Sequence, residues 1–203
     1  VVVKQLFGGL GSNFANPAVT ARVMMLISFS NSLAVATTTV FYDSVTQATP
    51  LAILADPSKG NVPGYLELFL GNYAGTIGET CSLALIIGGV YLMIKKVITW
   101  HTPAAFIGTV LLLSVAFGRD PLTEVLTGGI LIAAFFMATD YVTTPATSYG
   151  RLIFGCGCGL ITMIIRIYGN YPEGVSFAVL LMNILTPYID NWTRRKVIGG
   201  AAK

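Results

Sequence analysis

The chain has 203 residues, 54% of them hydrophobic and 10% charged, with a mean hydropathy of +0.74. A soluble domain carries about a quarter charged residues, so the composition excludes an ordinary soluble fold and indicates a membrane protein. The net charge of +3 is too small to indicate nucleic acid, and apolar runs cover too much of the length for a signal peptide or a single anchor.

Lys4 to Asn16 is a Gly-rich approach with no helical period. The chain begins at Val1 inside what reads as a continuing sequence, so residues 1–203 are expected to be one membrane domain, the C-terminal part of a longer subunit. Pro17 opens a span expected to reach about Phe41. Its Arg22, Ser28, Ser30, Asn31 and Ser32 place it against protein or a cavity rather than lipid.

Residues 42–76 follow as a long loop, with turn chemistry at Asp56-Pro-Ser-Lys-Gly60. Within it, Asp43, Thr46 and Thr49 recur every three residues, and Thr49 stands directly before Pro50. That is a Thr N-cap with proline at the first helical position, opening a short helix through Leu51–Ala55.

Further spans are expected at Ile77–Ile98, Pro103–Phe117, Leu122–Thr139, Leu152–Tyr168 and Val175–Ile189, about six membrane segments in all. Pro103–Phe117 covers only about 22 Å against a hydrocarbon core of ~30 Å, so it is expected to be tilted, thinned or re-entrant. Gly75-Thr-Ile-Gly78-Glu79 enters the second span, with Glu79 placed in the first turn of its helix. Asp140 closes the fourth span, either as an interfacial cap or, with the hydroxyls of Thr139, Thr143 and Thr144, as an oxygen-rich ion path. In the last span, Met182-Asn183 and Thr186-Pro187 are assigned to packing and a kink.

Cys156 and Cys158 lie about 200° apart on a helix and cannot clamp one ion, whereas Gly155 and Gly159 make a small-xxx-small contact. With Cys81 the cysteine count is odd, and His101 stands beside Trp100 in a short loop, so neither a zinc site nor a disulfide framework is supported. Asn16-Pro-Ala-Val-Thr-Ala-Arg22 echoes Thr144-Pro-Ala-Thr-Ser-Tyr-Gly-Arg151. This reflects either the common use of proline before helices or an internal, inverted repeat with broken helices. Threading the spans puts Lys4, Arg22, Lys95, Lys96, Arg151, Arg194, Arg195, Lys196 and Lys203 on one side, against Lys59, Arg119 and Arg166. The richer side is expected to be cytoplasmic.

Asp43-x-x-Thr46-x-Ala-Thr49-Pro-Leu resembles the flavin-attachment motif of the D subunit of the Rnf ion-translocating electron-transport complex. It is similar also to that of the related B subunit of sodium-translocating NADH:quinone reductase. Gly75-Thr-Ile-Gly-Glu-Thr80, Phe136-Met-Ala-Thr-Asp140 and Tyr171-Pro-Glu-Gly174 resemble further signatures of the family, and the likeness runs from about Lys4 to Asp190. It implies covalent FMN on Thr49 through a phosphodiester, with Asp43, Thr46, Gly78 and Glu79 near the flavin, and leaves room for a second flavin such as riboflavin. It further implies ferredoxin-to-NAD electron transfer coupled to sodium or proton movement, with the other Rnf subunits and a flavin transferase as partners. The location implied is a bacterial cell membrane, multi-pass, with the flavin loop outside and the C-terminus cytoplasmic. Asp140, Thr139 and Thr143 are the ion-path candidates. The quinone-reductase subunit and a flavin-free channel or secondary transporter are the alternatives.

Overall fold

A computed structural model describes residues 14–29, 48–56, 60–75, 78–169 and 174–194, together with residues 3, 5, 11, 37, 38 and 58. Their helices are α1 (Pro17–Ser28), α2 (Pro50–Ala55), α3 (Tyr65–Leu70), α4 (Ser82–Ile94), α5 (His101–Ala116) and α6 (Pro121–Leu126). After these come α7 (Ile130–Ile132), which runs into a π-helical turn (Ala133–Met137), then α8 (Ser148–Tyr168) and α9 (Val175–Thr193). The described residues depart from an all-helical chain at one two-residue antiparallel ladder, β1 (Thr37–Thr38) on β2 (Ala74–Gly75).

Local chemistry sets the helix starts. Asn16, Thr49 and Asp120 each cap a helix whose first residue is proline, and Thr147 accepts from the Gly150 N–H. Within 42–76 the described residues hold the expected short helix, α2, and also α3 and β2, where the sequence reads as loop. Glu79 is not in a helical first turn, because Cys81 is the cap of α4 and Glu79 sits in the turn before it. His101 stacks on Trp100 as the first residue of α5 rather than lying in a loop.

From α4 onward the helices run alternately between two ends. The start of α4 lies at Leu126, where Ser82 Oγ donates to its carbonyl, and its glycines lie further along, on the π turn. α5 runs parallel to α8, because an ideal Cβ at Gly155 would sit 2.7 Å from Thr102 O and one at Gly159 3.0 Å from Phe106 O. α9 returns antiparallel, with Gly174 against Ile165, Gly157 against Met182 and Thr193 bonded to Thr147. The small-xxx-small pair thus seats α8 on α5, and Cys156 is exposed while Cys158 is buried.

Many polar side chains are buried beside the apolar core, and many large apolar ones are exposed. Thr102, Ser114, Glu124, Thr127, Thr162, Arg166, Ser176 and Asn183 are buried, whereas Ile94, Leu112, Val115, Tyr188 and Trp192 are two-thirds exposed or more. A chain in water has no reason to expose such a surface, and a chain in lipid does. Phe106, Val110, Phe154, Met163 and Val179 are among the buried apolar residues of a core cluster between α1, α5, α7, α8, α9 and the π turn.

Among the described residues one helix, α8, is long and apolar enough to cross a membrane. With 13 and 16 residues, α4 and α5 reach only about 20 and 24 Å. The expected span Leu122–Thr139 is not one helix. It breaks after Leu126, where Gly128 and Gly129 take φ of +66° and +73°, the left-handed region that suits glycine.

Candidate functional site

Thr49 is the N-cap of α2, and its side-chain oxygen accepts from the Ala52 N–H at 3.3 Å. A cap needs only an acceptor oxygen, so the hydroxyl proton takes no part in it. The residue is half-buried, while Leu51 behind it is buried and anchors the helix. Thr49 lines a small open cleft with Tyr73, Gly75, Glu79 and Gly128. The glycines let neighbours pack closely into the cleft wall: a Cβ at Gly75 would meet Thr80 at 2.7 Å, and one at Gly128 would overlap Leu51.

The far wall is the helix break. Arg166, 6% exposed, donates from Nη1 to the Glu124 carbonyl at 2.8 Å and to Oε2 of its carboxylate at 2.6 Å. Its Nη2 donates to the carbonyls of Thr127 and Gly128 at 3.0 and 3.2 Å. Arg119 meets the other Glu124 oxygen at 3.0 Å. The Tyr73 and Ser82 hydroxyls donate to the Leu126 carbonyl. The carbonyls that a helix end leaves open are thus taken up by side chains from three other segments. Nearby, Arg22 pairs with Glu79 at 3.4 Å, and the Glu79 carboxylate fills the space that a side chain at Gly129 would need.

Burial, with Glu79 adding to it, pushes the Tyr73 hydroxyl up to about 12. At the entry to α6, burial raises the Asp120 carboxyl, but the Thr123 hydroxyl and N–H and the Tyr65 hydroxyl outweigh it. They hold the carboxyl below the usual range.

The second set of predicted residues lies at the other end. Arg151 and Arg166 are fifteen residues apart on α8, about 22 Å, and the Asp140 segment lies at the Arg151 end. There Thr143 Oγ donates to Asp140 Oδ2 at 2.9 Å, Thr144 Oγ donates to the Asp140 carbonyl, and Thr139 Oγ donates to the Phe135 carbonyl. Thr139, Tyr141, Thr144 and Arg151 line a cavity of about 210 Å³ that opens beside Thr99. From α9, Thr186 Oγ donates to the Thr143 carbonyl at 2.8 Å.

A profile of the NQR2, RnfD, RnfE family matches residues 1–199. The chain belongs to that family. It is 46% identical over 200 residues to the D subunit of the Na(+)-translocating ferredoxin:NAD(+) oxidoreductase complex of Acetobacterium woodii, covering 98% of this chain and 63% of the relative. It is 42% identical over 214 residues to the D subunit of the proton-translocating ferredoxin:NAD(+) oxidoreductase complex of Clostridium ljungdahlii, covering 95% and 63%. With the D subunit of the ion-translocating oxidoreductase complex of Halorhodospira halophila it shares 38% over 237 residues, covering 98% and 66%. The chain spans less than two thirds of the length of the first two.

Within this family fold, Thr49 and Glu79 line one cleft, while Gly78, with φ +93°, stands in the turn just before Glu79. Asp43 and Thr46 lie outside the described residues. The Asp140 group is a separate site at the opposite end. Arg22, assigned by threading to the cation-rich side, instead points to Glu79 in the Thr49 cleft. Sequence reasoning passed over Tyr73 and Glu124, counted Arg166 only as a loop cation and assigned Asn183 to packing. An arginine so near the end of an apolar run was the signal for Arg166.

Proposed function

We propose that this chain is a membrane subunit of an ion-translocating ferredoxin:NAD oxidoreductase and carries FMN covalently on Thr49. The carrying observation is the geometry of the Thr49 hydroxyl. Its oxygen serves as a cap while its proton is spare, so a phosphodiester at that oxygen leaves the Ala52 N–H bond in place. An anion there also faces the positive end of α2. The residues fit attachment on this side of the cleft. The enclosed part, about 20 Å³, takes one water-sized group, so a flavin ring lies outside it. When bound, the flavin supplies electron transfer, and the chain supplies position and electrostatics.

Two features of the chain support the assignment. Gly75 and Gly128 let Thr80, Leu51 and Arg166 approach closely in the wall beside Thr49. Arg166 stands directly behind Gly128 and Arg22 pairs with Glu79, so two cations lie at the cleft wall near the point of attachment. The Acetobacterium and Clostridium relatives are named as D subunits of ferredoxin:NAD complexes, one sodium- and one proton-translocating. The Rnf type is therefore preferred to the quinone-reductase subunit, and the coupling ion follows from neither name. The other Rnf subunits, a flavin transferase and the bilayer are the partners this reading requires. Asp140, with Thr139 and Thr143, belongs to the ion path, and the Thr49 side is the outer face.

The test is Thr49→Asn. Asparagine caps a helix as well as threonine does, but offers no hydroxyl for a phosphodiester. The substituted subunit is expected to assemble and to lose the flavin fluorescence that survives denaturing electrophoresis. Retained fluorescence would place the attachment elsewhere.

A further inference from the structure

Asn183 lies near the midpoint of α9, 1% exposed, and neither its Nδ2 nor its Oδ1 has a hydrogen-bond partner among the described residues. Pro187 stands four residues on, inside the same helix. Proline has no N–H, so the main-chain carbonyl of Asn183 loses the donor that an α-helix would give it. One residue thus carries a buried side-chain amide without a partner among the described residues and a main-chain carbonyl without its ordinary helical donor. Thr186, three residues on and on the same face, donates its proton to the Thr143 and Met182 carbonyls and keeps an oxygen lone pair free.

That face continues into the Asp140 site. Thr186 is bonded to Thr143, and Thr143 is bonded to Asp140. Thr139, just before Asp140, lines the cavity that opens to solvent. From the surface inward the order is cavity, Asp140 and Thr143, Thr186, then Asn183. A buried amide oxygen and a carbonyl relieved of its helical donor by proline can replace part of an ion's water.

We propose that Asn183 Oδ1, the Asn183 carbonyl and Thr186 Oγ form an interior site for a partly dehydrated monovalent cation, or for the water that relays a proton through the same point. The proposal rests on the reading that this chain carries an ion path. An amide does not titrate near neutral pH, so Asn183 contributes ligand oxygens and holds no transferable proton. Its Nδ2 donates to a water in the shell of the bound ion.

Two substitutions remove different oxygens. Asn183→Leu deletes the side-chain amide with little change in volume, and Pro187→Ala returns a helical N–H to the Asn183 carbonyl while leaving the amide in place. Each is built into the whole complex, reconstituted in phospholipid vesicles and driven by reduced ferredoxin and NAD. Uptake is followed with radioactive sodium and with a pH-sensitive dye. In both variants ion uptake at limiting ion concentration is expected to fall about tenfold, the affinity effect of about one lost ligand interaction, with assembly and attached flavin unchanged. Wild-type uptake in Asn183→Leu overturns the site. If that variant does not assemble, Pro187→Ala decides in the same way. Loss in Asp140→Asn with wild-type uptake in Asn183→Leu keeps the path and removes the site. The reverse keeps the site and removes Asp140. A native complex that moves neither ion overturns both.

Discussion

At the scale of single residues, the cleft depends on groups whose roles separate under substitution. Tyr73 is the simplest. Its hydroxyl is buried against Glu79 and Leu126 and is pushed from 10.0 up to about 12. A raised value means that the folded protein favours the neutral phenol, so this contribution is complete below pH 10 and is lost as pH rises towards 12. The thermal midpoint of the wild type should therefore fall relative to Tyr73→Phe between those values and run parallel to it below them. Equal alkaline behaviour would show Tyr73 to be solvated. Arg166 carries more. It serves one carboxylate and three carbonyls from a fully buried position. Removing one partner of such a pair costs about 3–5 kcal/mol. Arg166→Met should sharply lower the thermal midpoint of the purified complex, and adding Glu124→Gln should recover part of the loss. Additive losses would mean that the two side chains do not depend on each other.

At the scale of elements, glycine decides which helices touch and which helix stops. Gly88 and Gly89 admit Phe136 and Phe135 of the π turn against α4, with ideal Cβ contacts of 3.2 and 2.5 Å. Gly155 and Gly159 do the same for α8 on α5. In lipid the hydrophobic effect does not drive helices together, so close backbone approach carries more of the association. Gly159→Leu has to displace Thr109 and the Phe106 carbonyl, and overpacking of this kind costs about 1–3 kcal/mol. Reduced accumulation of the complex is expected, whereas Cys156→Ser, on the exposed face of the same helix, should accumulate normally. Equal levels for the two would show that α5 and α8 tolerate separation.

At the scale of the whole molecule, the alternation of helices gives two ends, one with the Thr49 cleft and Arg166, the other with Asp140, Lys95 and Arg151. With Arg22 moved to the cleft end, eight of the assigned cations remain on the side proposed to be cytoplasmic against four, and the bias still points the same way. In a subunit whose native cysteines are replaced, Ser58→Cys should react with an impermeant thiol reagent added to intact cells, and Lys95→Cys should not. Both positions are exposed. The opposite pattern would invert the protein in the membrane.

Composition and motif alone determined the helical membrane class, the family, the capped helix at Thr49 and the glycine seam of α8. Each of these depends on local spacing or on a solvent preference summed over the chain, and both are visible without coordinates. The break at Thr127–Gly129 was not legible. An apolar run interrupted by Gly-Gly still reads as one span, and the opened ends are stabilised by groups distant in sequence, Arg166 from a neighbouring helix with the Tyr73 and Ser82 hydroxyls. Asn183 beside Pro187 read as packing and a kink, since whether a buried amide finds a partner depends on what faces it. The tertiary structure leaves Asn183 without one among the described residues and places it in line with Thr186, Thr143 and Asp140. Sequence patterns record which polar groups a chain commits to lipid, but the pairing of those groups is a long-range matter settled by packing.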